Sequence, residues 1–202
     1  MNLELYRECK VPYKHFILKN CFQNETLVEI NKIIDTLNVN CNNKGKREDN
    51  TKRYFVDKNN IIFQGALYKS VQQLTSKNAV EFFEKLIDNE VSFKDCFLRM
   101  EIILDTSDFW LEKHTDIVEK KMSLIIYLND NNEPLENGTD VYDESGNFVK
   151  SIPFEQNTGF LFYPSHNTWH GLEKGKQIRK RKCVLINYVT FQTDWKITIL
   201  NH

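Results

Sequence analysis

The chain has no Cys-x-x-Cys pair, and its five cysteines, Cys9, Cys21, Cys41, Cys96 and Cys183, are odd in number and scattered. That pattern argues against a disulfide framework or a thiolate zinc site and fits a reducing, cytoplasmic setting. No apolar run approaches the roughly 20 residues that a spanning helix needs, so no membrane partner is expected. The start, Met1-Asn2-Leu3-Glu4-Leu5, lacks a basic stretch followed by an apolar one, so no secretory signal is read there. Charge of one sign is missing as well: 27 Lys and Arg stand against 28 Asp and Glu. Such a balance gives no pull towards nucleic acid. With neither repeats nor a linker, the 202 residues read as one domain, 1–202. Hydrophobic residues at 41% and charged residues at 27% suit a chain that packs a core.

What is present falls into two halves. Asn24 is placed to cap a helix whose apolar positions Leu27, Ile30, Ile33, Ile34 and Leu37 recur at helical spacing. Ala79 to Leu86 reads as a second helix, with Val80, Phe83 and Leu86 on one face. Between them, 38–60 is too polar and aperiodic for a core. A loop of that length is usually functional or mobile, and with Arg53-Tyr54-Phe55 at its end it is expected to cap a pocket. From residue 96 the period changes to two. Strands are expected over 96–104, 121–128, 147–153, 159–163, 181–191 and 195–200, with Asp143-Glu144-Ser145-Gly146 as a hairpin turn. Helical support over about 1–95 and a strand-rich core over about 96–202 predict an α+β fold, its strands in a double-sheet jelly roll.

The chemistry centres on His114-Thr115-Asp116. A strand-like run, Met122 to Leu128, follows it; His170 lies 56 residues beyond His114, and Arg181 opens a further strand-like run. Two imidazoles and one carboxylate on neighbouring strands can hold one face of an octahedral metal, as in non-haem Fe(II) oxygenases. Each part alone is weak. His114 also reads as a loop histidine bonded to Asp116, and His170 as an amphipathic residue at a strand end. The mixed N/O donors equally admit zinc, manganese or nickel. His166, four residues before His170, is the other candidate for the distal ligand. His170 is preferred because Trp169-His170-Gly171 stands just ahead of the residues leading to the arginine strand. His15 and His202 have no partner at useful spacing and are expected on the surface.

Taken together, His114-Thr115-Asp116, His170 and Arg181 resemble the His-x-Asp…His…Arg pattern of the Fe(II)/2-oxoglutarate-dependent oxygenases. Tyr127-Leu128-Asn129 resembles the strand end of their prolyl-4-hydroxylase-like branch. The resemblance covers about residues 96 to 191. It implies a double-stranded β-helix with Fe(II) held by His114, Asp116 and His170 between the two sheets, and 2-oxoglutarate and O₂ as cosubstrates. Arg181 would take the distal carboxylate of 2-oxoglutarate through a bidentate guanidinium contact, with Tyr127 adding a phenol hydrogen bond. Arg179 shares the strand parity of Arg181 and stays an alternative. Cys183 stands where many relatives carry Ser. The carboxylate of Asp116 favours hydroxylation, since halogenating relatives have a small residue there. Arg99, Glu101, Asn187 and Trp110 are candidates for substrate or metal surroundings. The expected substrate is a small-molecule biosynthetic intermediate. A protein side chain such as proline comes second, and a cupin-like enzyme or a non-catalytic metal or 2-oxoglutarate binder third.

Overall fold

The computed structural model describes residues 1–37, 51–106 and 109–197. Among these, the chain runs through β1 (Leu5–Cys9), β2 (His15–Leu18), α1 (Asn24–Thr36), β3 (Thr51–Phe55), α2 (Ala66–Leu74), α3 (Lys77–Lys85) and β4 (Phe97–Thr106). It continues through β5 (Leu111–His114), β6 (Lys120–Tyr127), β7 (Thr139–Tyr142), β8 (Phe148–Ile152), β9 (Thr158–Phe162), β10 (His170–Leu172), β11 (Lys180–Val189) and β12 (Trp195–Lys196). The larger sheet has the order β1-β2-β9-β6-β11-β4-β12, with β3 also on β4; the smaller has the order β5-β10-β7-β8.

Strand alternation builds three layers from this. On β11, Val184, Ile186 and Tyr188 point one way; with Leu98, Met100 and Ile102 of β4 and Leu124 and Ile126 of β6 they pack against the helices. The helices answer with Ile30 and Ile34, Leu67, Val71 and Leu74, and Val80 and Phe83. The other parity faces the smaller sheet. There Tyr127, Phe160, Phe162 and Cys183 meet Val141, Ile152 and Phe154. Each large side chain buried in this way contributes about 1.5–3 kcal/mol. The helices are joined by polar caps. The Glu29 carboxylate of α1 accepts the Ala66 and Leu67 backbone N–H groups at 2.8 Å each, which supplies the N-terminus of α2 with the acceptor that Gly65 lacks. Ser76 caps α3 through the Ala79 N–H.

Several expectations change. The first 95 residues are not helical support alone, because β1 and β2 extend the larger sheet beyond β9 and β3 lies along β4. All four residues of β2 are buried, so its sequence shows no alternation to read. Gln23, not Asn24, precedes α1, and no side chain caps it; Asn24 is the first helical residue. The end of the expected pocket cap is β3, and 38–50 lies outside the described residues. The Asp143–Gly146 turn does join β7 to β8, with Gly146 at φ 78°. His202 also lies outside the described residues.

His15 is fully buried rather than on the surface. Its Nδ1–H donates to the Tyr13 carbonyl at 2.7 Å, and its Nε2 has no partner among the described residues. Burial pushes its pKa down to about 4. Above pH 6.5 the imidazole is neutral folded or unfolded and contributes nothing. Between 6.5 and 4 only the unfolded chain takes up the proton, so stability falls as the pH falls. Replacing His15 with Phe keeps a ring against Phe160. The variant is expected to retain roughly 1–3 kcal/mol of the stability that the parent loses across that window. Urea unfolding at pH 7 and pH 5 measures this; equal losses in both proteins would count against it.

Candidate metal centre

β5 and β10 pair antiparallel with His114 directly opposite His170, which brings the two ring centroids to 4.5 Å. Gly171 permits that approach: a Cβ there would lie 2.8 Å from the Leu111 carbonyl oxygen and 3.0 Å from the Lys113 Cα. Asp116 sits between β5 and β6. One donor atom from each of His114, Asp116 and His170 falls within 4.8 Å of the others.

The backbone settles which nitrogens are available. His114 Nδ1–H donates to the Glu112 carbonyl at 2.8 Å, and His170 Nδ1–H to the Thr168 carbonyl at 3.0 Å. Each contact leaves Nε2 with its lone pair. Burial pushes His170 down to about 4, so it is neutral near pH 7. Burial alone would raise the Asp116 carboxyl. The neighbouring His170 and Lys120 and the hydrogen bonds from Lys120 and Ser123 outweigh it and hold the group below its ordinary value. Lys120 Nζ donates to Asp116 Oδ1 at 2.5 Å and Ser123 Oγ to Oδ2 at 2.7 Å. Each oxygen keeps a further lone pair, so the carboxylate can still ligate. Ser123 Oγ also lies 2.9 Å from the Asn187 amide. The hydroxyl has one proton, and with the amide turned so that its NH₂ donates, both contacts are satisfied. Two imidazole nitrogens and one carboxylate, all oriented, fit a divalent first-row metal.

These residues line one open cleft with Arg53, Arg99, Glu101, Thr139, Phe162, Arg181 and Leu185. No family model matches the sequence, and no curated protein matches it. Solved structures do. A 2OG-Fe(II) oxygenase family oxidoreductase from Burkholderia pseudomallei aligns over 90% of this chain and 88% of its own, with TM-score 0.59 at 15% identity. A Pseudomonas putida prolyl-4-hydroxylase aligns over 88% and 93%, with TM-score 0.60 at 12% identity. A Trichoplax adhaerens prolyl hydroxylase, in complex with a hypoxia inducible factor peptide fragment, aligns over 87% and 83%, with TM-score 0.63 at 12% identity. The chain has the fold of the 2OG-Fe(II) oxygenases.

Within this oxygenase fold Arg181 lines the same cleft as the three candidate ligands, on the same face of β11 as Asn187. It is buried, and its Nε, Nη1 and Nη2 donate to the Asn137 carbonyl (2.7 Å), Asp105 Oδ2 (2.7 Å) and the Gly138 carbonyl (3.2 Å). Of its five N–H groups, one on each Nη is left over. Arg179 points outward and pairs with Glu133. His166 is exposed on the turn before β10.

Tyr127 is fully buried behind the cleft wall. Its hydroxyl donates to Thr139 Oγ1 at 2.7 Å, and Thr139 is the residue that lines the cleft. Cys183 packs in the sandwich core. Trp110 stands apart, in a separate hollow under Lys174, so the structure does not bring it to the candidate centre. Sequence reading missed Lys120, Ser123 and Asp105, while Arg53, read at the end of the expected pocket cap, does line the cleft. Ser123 and Asp105 were legible in principle, since they share the inward parity of Ile125 and Ile103.

Proposed function

We propose that the protein is an Fe(II)- and 2-oxoglutarate-dependent dioxygenase that hydroxylates a small molecule with release of succinate and CO₂. One observation carries the reading: His114, Asp116 and His170 converge within 4.8 Å, with both imidazoles held so that Nε2 is the free donor. Fe(II) bound by these three residues would supply the O₂ chemistry, as metal cofactors do when a protein contributes binding and orientation. The rest is the work of this chain. Lys120 and Ser123 keep Asp116 ionised and fix its rotation, and Asn187 fixes Ser123. Arg181 offers its two remaining N–H groups to the distal carboxylate of 2-oxoglutarate. Tyr127 acts through Thr139: by donating to Thr139 Oγ1 it leaves the threonine proton for that carboxylate. Phe162, Leu172 and Leu185 limit water around the reacting groups.

The cleft encloses about 170 Å³ and opens to solvent at its mouth, where a small substrate would sit beside the cosubstrate. A protein side chain such as proline is the second reading, favoured by the similarity to prolyl hydroxylases. The purified protein, given Fe(II), 2-oxoglutarate and air, is expected to form succinate. Omitting Fe(II), or replacing it with Zn(II), should stop this. Absence of succinate together with absence of Fe(II)-dependent 2-oxoglutarate binding would overturn the proposal.

A further inference from the structure

Arg99 lines the cleft wall and has no role in the reaction above. It lies on β4 directly across from Asn187 on β11, which is itself opposite Ser123 on β6. That row runs across the sheet to the hydroxyl on Asp116, so Arg99 stands two strand spacings, roughly 10 Å, from the ligand end of the row. Its guanidinium carbon is 5.5 Å from the Phe55 ring centroid and 5.9 Å from that of Phe191. Two rings beside one guanidinium restrict it by cation–π contact. Arg99 Nε is held by Glu101 Oε1 at 2.8 Å. Glu101 is buried and is also contacted by Arg53 at 3.2 Å, so it cannot swing away to release Arg99. The two terminal nitrogens of Arg99 have no hydrogen-bond partner among the described residues, and the residue lines the cleft that holds His114, Asp116 and His170.

An arginine whose Nε is anchored, which two rings flank and whose terminal nitrogens have no partner among the described residues is preorganised to receive a planar anion edge-on. We infer that Arg99 is the recognition site for a carboxylate on the primary substrate, so that the substrate class is a carboxylate-bearing small molecule. The inference rests on the oxygenase reading above. One guanidinium edge matches a monoanionic carboxylate. A phosphate dianion at the same place would add a second negative charge beside the buried carboxylate of Glu101, which Arg53 and Arg99 already share. Arg181 is a different group in a different row of the sheet, opposite Asp105 rather than Asn187, so the two arginines would hold the two organic reactants at separate places.

The test uses the full chain loaded with Fe(II) and 2-oxoglutarate without O₂. The probes are the free L-amino acids, each paired with its C-terminal amide, and inorganic phosphate as a separate arm. At least one acid is expected to raise the thermal midpoint while its amide and phosphate do not. The same acid, in air, should stimulate succinate formation. Arg99→Gln should weaken binding of that acid at least tenfold. Arg99→Lys, which keeps a cation beside Glu101 but not the two-nitrogen edge, should weaken it by a similar factor while folding normally. Affinity for 2-oxoglutarate should stay within about twofold in both variants. Acid and amide binding alike, a shift with phosphate instead, full acid affinity in Arg99→Lys, or no acid binding at all would each overturn the inference. Failure of the wild type to bind 2-oxoglutarate with Fe(II) would instead overturn the oxygenase reading.

Discussion

Replacing any one of His114, Asp116 or His170 with alanine is expected to abolish Fe(II) binding and turnover. Each residue supplies one of three converging donors, and among the described residues no fourth carboxylate or imidazole lies close enough to those three to take over. The fold should survive, because His114 and Asp116 sit at the cleft rather than in the packed layers, and β10 keeps its backbone pairing with β5 and β7. His166→Ala is the matched control: it removes an exposed histidine from the turn before β10 and should leave the metal in place. Ser123→Ala should fall between these, weakening metal binding by roughly 10–100-fold, as loss of a group that orients a ligand does. Anaerobic Fe(II) titration of each variant, with circular dichroism to check folding, gives the answer. If His166→Ala lost the metal while His170→Ala kept it, the ligand assignment would be wrong.

The parts of the molecule that were legible in sequence are those with a repeating period or a fixed spacing. β4, β6 and β11 showed an alternation long enough to place within about two residues, and that alternation put Arg181, Cys183, Leu185 and Asn187 on one face, as they are found. The spacing of His114, Asp116 and His170 pointed to residues that do converge. What could not be read depends on contacts distant in sequence. β2 is four buried residues with no polar partner position, and β10 is three residues around a glycine. Trp110 adjoins β5 in sequence but lines a separate hollow with Tyr142, Phe148 and Lys174. Tyr127 was placed beside the distal carboxylate by resemblance; the intervening Thr139 could not be foreseen, because β7 is joined to β6 by an irregular segment. The partnership of Arg181 with Asp105 was hidden for the same reason, since it needs the register of β4 against β11.

Arg181→Ala is expected to be the most damaging change outside the metal ligands, for two reasons that can be separated. The first is stability. Asp105 is fully buried, and removing the guanidinium takes away its 2.7 Å partner and the donors to the Asn137 and Gly138 carbonyls. Breaking a buried pair from one side costs about 3–5 kcal/mol. The second is cosubstrate binding, and here Asp105→Asn is the sharper probe. The substitution keeps the size of the side chain and an oxygen to accept from Arg181 Nη1, but removes the negative charge. With Asp105 ionised, a carboxylate arriving at Arg181 meets a cation already paired with one anion. Two like charges about 6 Å apart repel by about 3 kcal/mol at an effective dielectric of about 20. Asp105→Asn should therefore tighten 2-oxoglutarate roughly ten- to a hundredfold, while Arg181→Ala weakens it by at least as much. Anaerobic titration of 2-oxoglutarate into both Fe(II)-loaded variants, beside urea unfolding of each, distinguishes the effects. Unchanged or weaker affinity in a well-folded Asp105→Asn protein would mean that the distal carboxylate is not held at Arg181, and that this arginine serves the fold alone.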